Sequence, residues 1–167
     1  MKEIYLFQLN KELKVFLSIF LLVLSSGVIF GLIYLYKTTS FNKSITTERL
    51  IENDDLIEED FGINESTSRS TGELLMTIHN HIIGFSFIFF LVGGIFYFNS
   101  IISGFWKMFL ILEPLISTLI SFSSMLGIRF INEAFVYITI ISAILLYLSY
   151  FIMISISLIE LTLKRPV

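Results

Sequence analysis

Four long runs of apolar residues, separated by short or charged intervals, set the pattern of this chain. The first covers residues 15–36, carries no charged side chain and is bracketed by Lys14 and Lys37. The second has its apolar centre at 82–98 and its start upstream. Ser70, Thr71, Gly72 and Glu73 fit a capping box, in which a hydroxyl caps the helix and a Glu three residues later reaches back. The third follows Trp106 and Lys107, and the fourth is entered through Asn132 and left through Lys164 and Arg165. A hydrocarbon core about 30 Å thick takes roughly 20 apolar residues of helix to cross. Transmembrane strands would read as shorter, alternating segments. The pattern therefore predicts spanning α-helices at about 15–36, 75–98, 108–128 and 134–159.

The intervals after the second and third runs are short, which favours antiparallel neighbours. A helix over 71–98 would be about 42 Å long at 1.5 Å per residue. Its first two turns are expected to stand in the interface. The first run has a rival reading as a signal peptide, but a signal h-region is only about 7–15 residues long and ends at a cleavage site. This run continues through Ile29, Phe30, Leu32 and Ile33, so it reads as an uncleaved span.

Residues 38–71 form the hydrophilic stretch. Glu48, Glu52, Asp54, Asp55, Glu58, Glu59 and Asp60 precede a Ser/Thr-rich segment at 66–71. It is too poor in apolar residues to build a core of its own. The expectation is a solvated loop with one short helix around 46–57, or a loop that collects cations or docks a partner. The fold class expected is all-α: one membrane domain over residues 1–167, an integral membrane four-helix bundle with one acidic extramembrane loop.

Composition sharpens this picture. Of 167 residues, 55% are hydrophobic and only 15% charged, against about 25% charged in average soluble domains. The absence of cysteine excludes disulfides, thiolate metal sites, cysteine-bound iron–sulfur clusters and c-type haem attachment. The net charge of −3 comes without any basic cluster, which argues against nucleic acid. Orientation follows Lys and Arg near span ends. With both termini inside, Lys2, Lys11, Lys14, Lys107, Lys164 and Arg165 are cytoplasmic, and Lys37, Lys43, Arg49, Arg69 and Arg129 are outside. The margin is narrow, and the terminal clusters favour this orientation, in a bacterial cytoplasmic membrane.

Few residues carry candidate chemistry. His79 and His81 flank Asn80 at the outer end of the second span. Two positions apart on a helix of about 3.6 residues per turn, they point roughly 200° apart and do not readily grip one ion. The metal-binding spacing on a helix is i, i+4. Each histidine can still act with groups from elsewhere. His79 or His81 with Glu133 and a loop carboxylate is the candidate divalent-metal site, and either histidine is a candidate haem ligand. The alternative is that both only satisfy headgroups and water, which makes haem or a metal less expected than none.

Glu113 and Pro114 interrupt the third run. A carboxyl at that depth is costly and usually faces a bundle interior or water. Pro114 has no N–H and leaves the Leu110 carbonyl without its helical donor. Buried, Glu113 is expected to be neutral, with Tyr147, Ser149 and Tyr150 at similar depth as hydrogen-bond donors. The bland alternative puts Pro114 in the first helical turn, with 105–112 as an interfacial segment. Gly27 and Gly31 form a GxxxG, and Gly93 and Gly94 a second notch. Both are expected at helix contacts, because small residues let backbones approach in a membrane. Ser117, Thr118, Ser121, Ser123 and Ser124 add a polar seam to the third span.

There is no nucleophile–base pair, P-loop, dinucleotide turn or metalloprotease motif. The expected function is therefore non-enzymatic: an accessory, assembly or scaffold subunit that meets the lipid bilayer and either other membrane subunits or a second copy. The alternatives are a haem- or metal-binding protein using His79 and His81, and a small proton or ion transporter using Glu113.

Overall fold

The computed structural model describes residues 4–40, 43–50 and 70–164. A short 3-10 turn at Leu6–Gln8 is followed by α1 (Lys11–Thr39), α2 (Lys43–Leu50), α3 (Thr71–Tyr97), α4 (Gly104–Phe130) and α5 (Phe135–Thr162). Among the described residues there is no strand. Four of these helices, α1, α3, α4 and α5, are long and apolar enough to cross a membrane.

Local signals set the helix ends. Asn10 caps α1, its Oδ1 accepting from the Leu13 N–H at 2.9 Å. At the other end Ser40 adopts a left-handed conformation and donates to the Tyr36 carbonyl at 2.7 Å. The capping box at α3 is present: Glu73 N–H donates to Ser70 Oγ, and Ser70 N–H to Glu73 Oε2. Gly104 starts α4 at a φ of +64°, a backbone region in which a Cβ is costly. The α4–α5 turn closes when Ile131 and Asn132 N–H groups both donate to the Gly127 carbonyl. Asn132 Oδ1 then accepts from Ala134 N–H at 2.7 Å. Helix α4 begins four residues before the expected start at 108, so Phe105 and Trp106 are helical and exposed.

The helices alternate in direction, which places the starts of α1 and α4 and the ends of α3 and α5 at one end of the bundle. The 3-10 turn joins them there, with Leu6 N–H donating to the Phe98 carbonyl at 3.0 Å. Helices α4 and α5 form the tightest pair, and α3 packs against both. The core at this end holds Phe89, Val92, Phe96, Leu110, Leu146, Met153 and Ile154. A second core near the other end joins Leu74, Ile78, Phe122, Ile128 and Val136 to Leu50 of α2.

Helix α1 is peripheral. Its apolar stripe of Leu17, Leu21, Leu24 and Val28 packs toward the first core, that of Phe89, Phe96 and Met153, and its main helical neighbour is α5. The spacing of that stripe, three or four residues, is that of one helix face. The opposite face, with Val23 and Phe30, is open. In water such a surface would be an aggregation hazard. In a bilayer it is the ordinary lipid-facing side of a span.

Candidate functional sites within the bundle

The α4–α5 interface carries most of the buried polar side chains. Ser117, Thr118, Ser121 and Ser124 of α4 are buried, as are Thr139, Ser142 and Ser149 of α5. Ser123 is exposed, because it lies on the opposite face. Ser124 and Thr139 hydroxyls meet at 2.6 Å, and Ser121 donates to the Thr139 carbonyl at 3.4 Å. Thr118 and Ser142 donate back to carbonyls four residues earlier. Hydroxyls paired in this way cost little in hydrocarbon and let the backbones approach closely.

Glu113 belongs to this face. It is 7% exposed, and its Oε1 accepts from Ser117 Oγ, one turn further along α4, at 2.5 Å. Its Oε2 has no hydrogen-bond partner among the described residues. Pro114 lies inside α4, well beyond the first turn. The helix runs through it without ending, so residues 105–112 belong to the same span. The antiparallel register makes Glu113 level with 147–150. Eight residues along α4 from Ser121 to Glu113 correspond to eight along α5 from Thr139 to Tyr147.

The tyrosines expected to donate to Glu113 point elsewhere. Tyr147 stacks edge-on against Phe85 of α3, and Tyr150 against Phe89. The Tyr150 ring is buried, and its hydroxyl lies beside Ser25 of α1 without hydrogen-bond geometry. Ser25 Oγ itself donates to the Leu21 carbonyl. Register alone did not reveal this, because residues at equal depth on a helix still face different neighbours.

His79 and His81 are both exposed near the start of α3. His81 Nδ1 lies 2.8 Å from the Thr77 carbonyl, and its ring packs against Phe122 at 5.2 Å. Glu133 sits in the exposed α4–α5 turn, on an open depression lined by residues 128–133. Among the described residues, no three His, Asp or Glu side chains come close enough to hold a metal ion. The acidic residues 52–60, proposed as further donors, lie outside the described residues, as does the second half of the helix expected at 46–57. Helix α2 stands over its first part.

The glycines divide. A Cβ on Gly93 would meet Ile111 Cγ2 at 3.2 Å, so Gly93 is a contact between α3 and α4. Gly94 opens instead into an apolar groove of about 230 Å³ between those helices, lined by Phe89, Phe90, Tyr97, Met108 and Leu115. Gly27 and Gly31 have nothing within 4 Å of an added Cβ. They lie at the edge of the packed stripe of α1, three residues beyond Leu24 and Val28, and among the described residues no neighbour reaches them.

One site escaped the sequence reading. Glu160, near the end of α5, is fully buried. Its Oε2 accepts from Asn99 Nδ2 at 2.6 Å and from Ser100 N–H at 2.8 Å, and its Oε1 accepts from Ser100 Oγ at 2.7 Å. Asn99 Oδ1 in turn accepts from the N–H groups of Ile101 and Ile102. Lys107 Nζ donates to the carbonyls of Tyr97 and Asn99, and Lys164 Nζ to Ser100 Oγ. Lys164 also stands over the Phe7 ring at 4.7 Å. This clasp ties the α3–α4 turn, the start of α4, the end of α5 and the N-terminal turn together. Only the spacing of Glu160 to Lys164 hints at it in the sequence, and that spacing reads as an ordinary helix-surface pair.

Residues 55–167, about two-thirds of the chain, match a family described as a transmembrane helical domain. The match takes in α3, α4 and α5. No curated protein and no solved structure matches the chain.

Proposed function

The chain belongs to the Aq_1264_TM family, a transmembrane helical domain, and from that premise we propose that it serves as a non-enzymatic accessory, assembly or scaffold subunit in a bacterial cytoplasmic membrane, with its termini on the cytoplasmic side. The observation that carries the reading is the glycine strip of α1. This helix packs along one stripe, and at the edge of that stripe Gly27 and Gly31 leave a smooth strip with nothing within 4 Å of an added Cβ. A second helix could approach that strip closely, as small-residue faces allow in membranes. Lipid alone would be served as well by Leu or Ile. The thin inventory of chemistry-bearing side chains supports a structural role over an enzymatic one.

Purification in mild detergent with cross-linking tests this. A stable partner or a second copy should be recovered with the wild-type protein. Gly31→Leu should weaken that association while α3–α5 remain folded. A chain that purifies alone, with Gly27→Leu and Gly31→Leu migrating as the wild type does, would sink the reading.

A further inference from the structure

We propose that the groove between α3 and α4 seats an acyl chain of an anionic phospholipid, and that Lys107 at its mouth pairs with that lipid's phosphate. The inference goes beyond the assembly role and does not depend on it.

The groove is built by residue spacing. Phe90, Gly94 and Tyr97 lie four and three residues apart and so share one face of α3. Met108, Ile111 and Leu115 do the same on α4. Gly94 opens the floor, since an added Cβ there has nothing within 4 Å. Phe90 is 72% exposed, so the groove faces outward, toward lipid. From Phe90 to Tyr97 it follows the helices for about 10 Å at 1.5 Å per residue. It therefore runs along the spans, as acyl chains do. Spread over that length, its volume gives a cross-section of roughly 23 Å², against roughly 80–110 Å² for a helix 10–12 Å in diameter. A single hydrocarbon chain fits that space, and a partner helix would ride over it without filling it.

The mouth of the groove is charged. Lys107 immediately precedes Met108, and its Nζ stands 5.9 Å from the centre of the Tyr97 ring, one wall of the groove. That ammonium donates to the carbonyls of Tyr97 and Asn99 at 3.2 and 2.6 Å. Both acceptors are neutral, and an ammonium carries three donors. One N–H and the positive charge are therefore left for a phosphate oxygen. Trp106 and Tyr97 are both exposed, and such residues sit at headgroup level. The same end of the bundle carries Lys11, Lys14, Lys107 and Lys164 against Glu12 and Glu160, an excess of positive charge among the described residues. An apolar groove that leads from a cation into the membrane complements a lipid with a negative headgroup. Basic pockets between spanning helices hold such headgroups. A zwitterionic lipid would fill the groove as well, but it would bring a second cation to Lys107.

The chain's single tryptophan, Trp106, reports on the site. The full chain is placed in phosphatidylcholine vesicles containing a minor fraction of phosphatidylglycerol brominated on its acyl chains. This lipid should quench Trp106 more than the same fraction of brominated phosphatidylcholine. The preference should amount to about fivefold in binding, the value of one lysine near an anionic surface, and should fall as salt is raised. Lys107→Gln should remove the preference, and Lys107→Arg should keep it. Mass spectrometry of the protein released from mild detergent should find phosphatidylglycerol retained. Gly94→Leu, which fills the floor of the groove, should displace it, whereas Lys37→Gln, exposed at the other end of the bundle, should not. Should Lys107→Gln fail to fold, the comparison of the two brominated lipids on the wild-type chain and the Gly94→Leu result decide. Equal quenching by the two lipids, a preference that survives Lys107→Gln, or retention unchanged in Gly94→Leu would overturn the proposal. Quenching by neither lipid would mean that protein covers the groove, and would overturn it too.

Discussion

Two buried glutamates illustrate what a single residue reveals. Glu113 was legible in the sequence because a carboxyl among apolar neighbours has no cheap place in lipid. Glu160 was not, because it lies close to Lys164 and Arg165, where charge is unremarkable. Its importance comes from the α3–α4 turn, sixty residues away, whose Asn99 and Ser100 close on it. Hydrogen bonds to charged groups contribute about 1.5–3 kcal/mol each, and a buried donor left without a partner costs about 1–3 kcal/mol. Glu160→Ala should therefore lower stability by roughly 3 kcal/mol or more, read from unfolding in detergent micelles. Thr162→Ala, on the exposed side of the same helix, should change it little. Equal stabilities for the two variants would show that the clasp is incidental. The histidines were visible as candidates from composition alone, but which groups surround them depends on the fold.

At the scale of elements, hydropathy sufficed to identify all four spans. It located α3 almost to its ends, because the capping box at Ser70 is a local signal. Both ends of α1 and α4, and the last turn of α5, extend a few residues past the apolar runs, since caps and turns set them, as Asn10 and Gly104 do. Helix contacts were less legible. The GxxxG of α1 suggested a contact that no described residue of this chain supplies, while Gly127 escaped notice. A Cβ at Gly127 would run into the Phe135 ring, where α4 turns into α5. Gly127→Ala must displace the near edge of that ring. Overpacking of this kind typically costs about 1–3 kcal/mol. Thermal unfolding should register the loss, and Gly127→Ala with Phe135→Leu should recover part of it. A Gly127→Ala variant as stable as the wild type would mean that the turn relaxes freely.

For the whole molecule, the alternation of spans fixes which segments share an end, whereas the membrane side each end faces rests on a narrow excess of Lys and Arg. Engineered cysteines can decide it, since the chain has none of its own. Ala134 and Thr162 are exposed at opposite ends of α5. An impermeant thiol reagent on intact cells should label Ala134→Cys and spare Thr162→Cys. The opposite pattern inverts the orientation. The acidic segment illustrates the limit of pattern reading: its charge predicts solvent, but the charge run itself says nothing of what it meets.

The clasp also orders events in time. Asn99 and Ser100 leave the ribosome about sixty residues before Glu160, an interval of roughly 3–12 s at about 5–20 residues per second. Until α5 has entered the bilayer, the α3–α4 turn has no carboxylate to bind, and its donors must stay with water. Closure is therefore a late step in biogenesis, available only to a nascent chain synthesised through Glu160. A stalled or clipped chain lacking Glu160 would keep the turn hydrated and open.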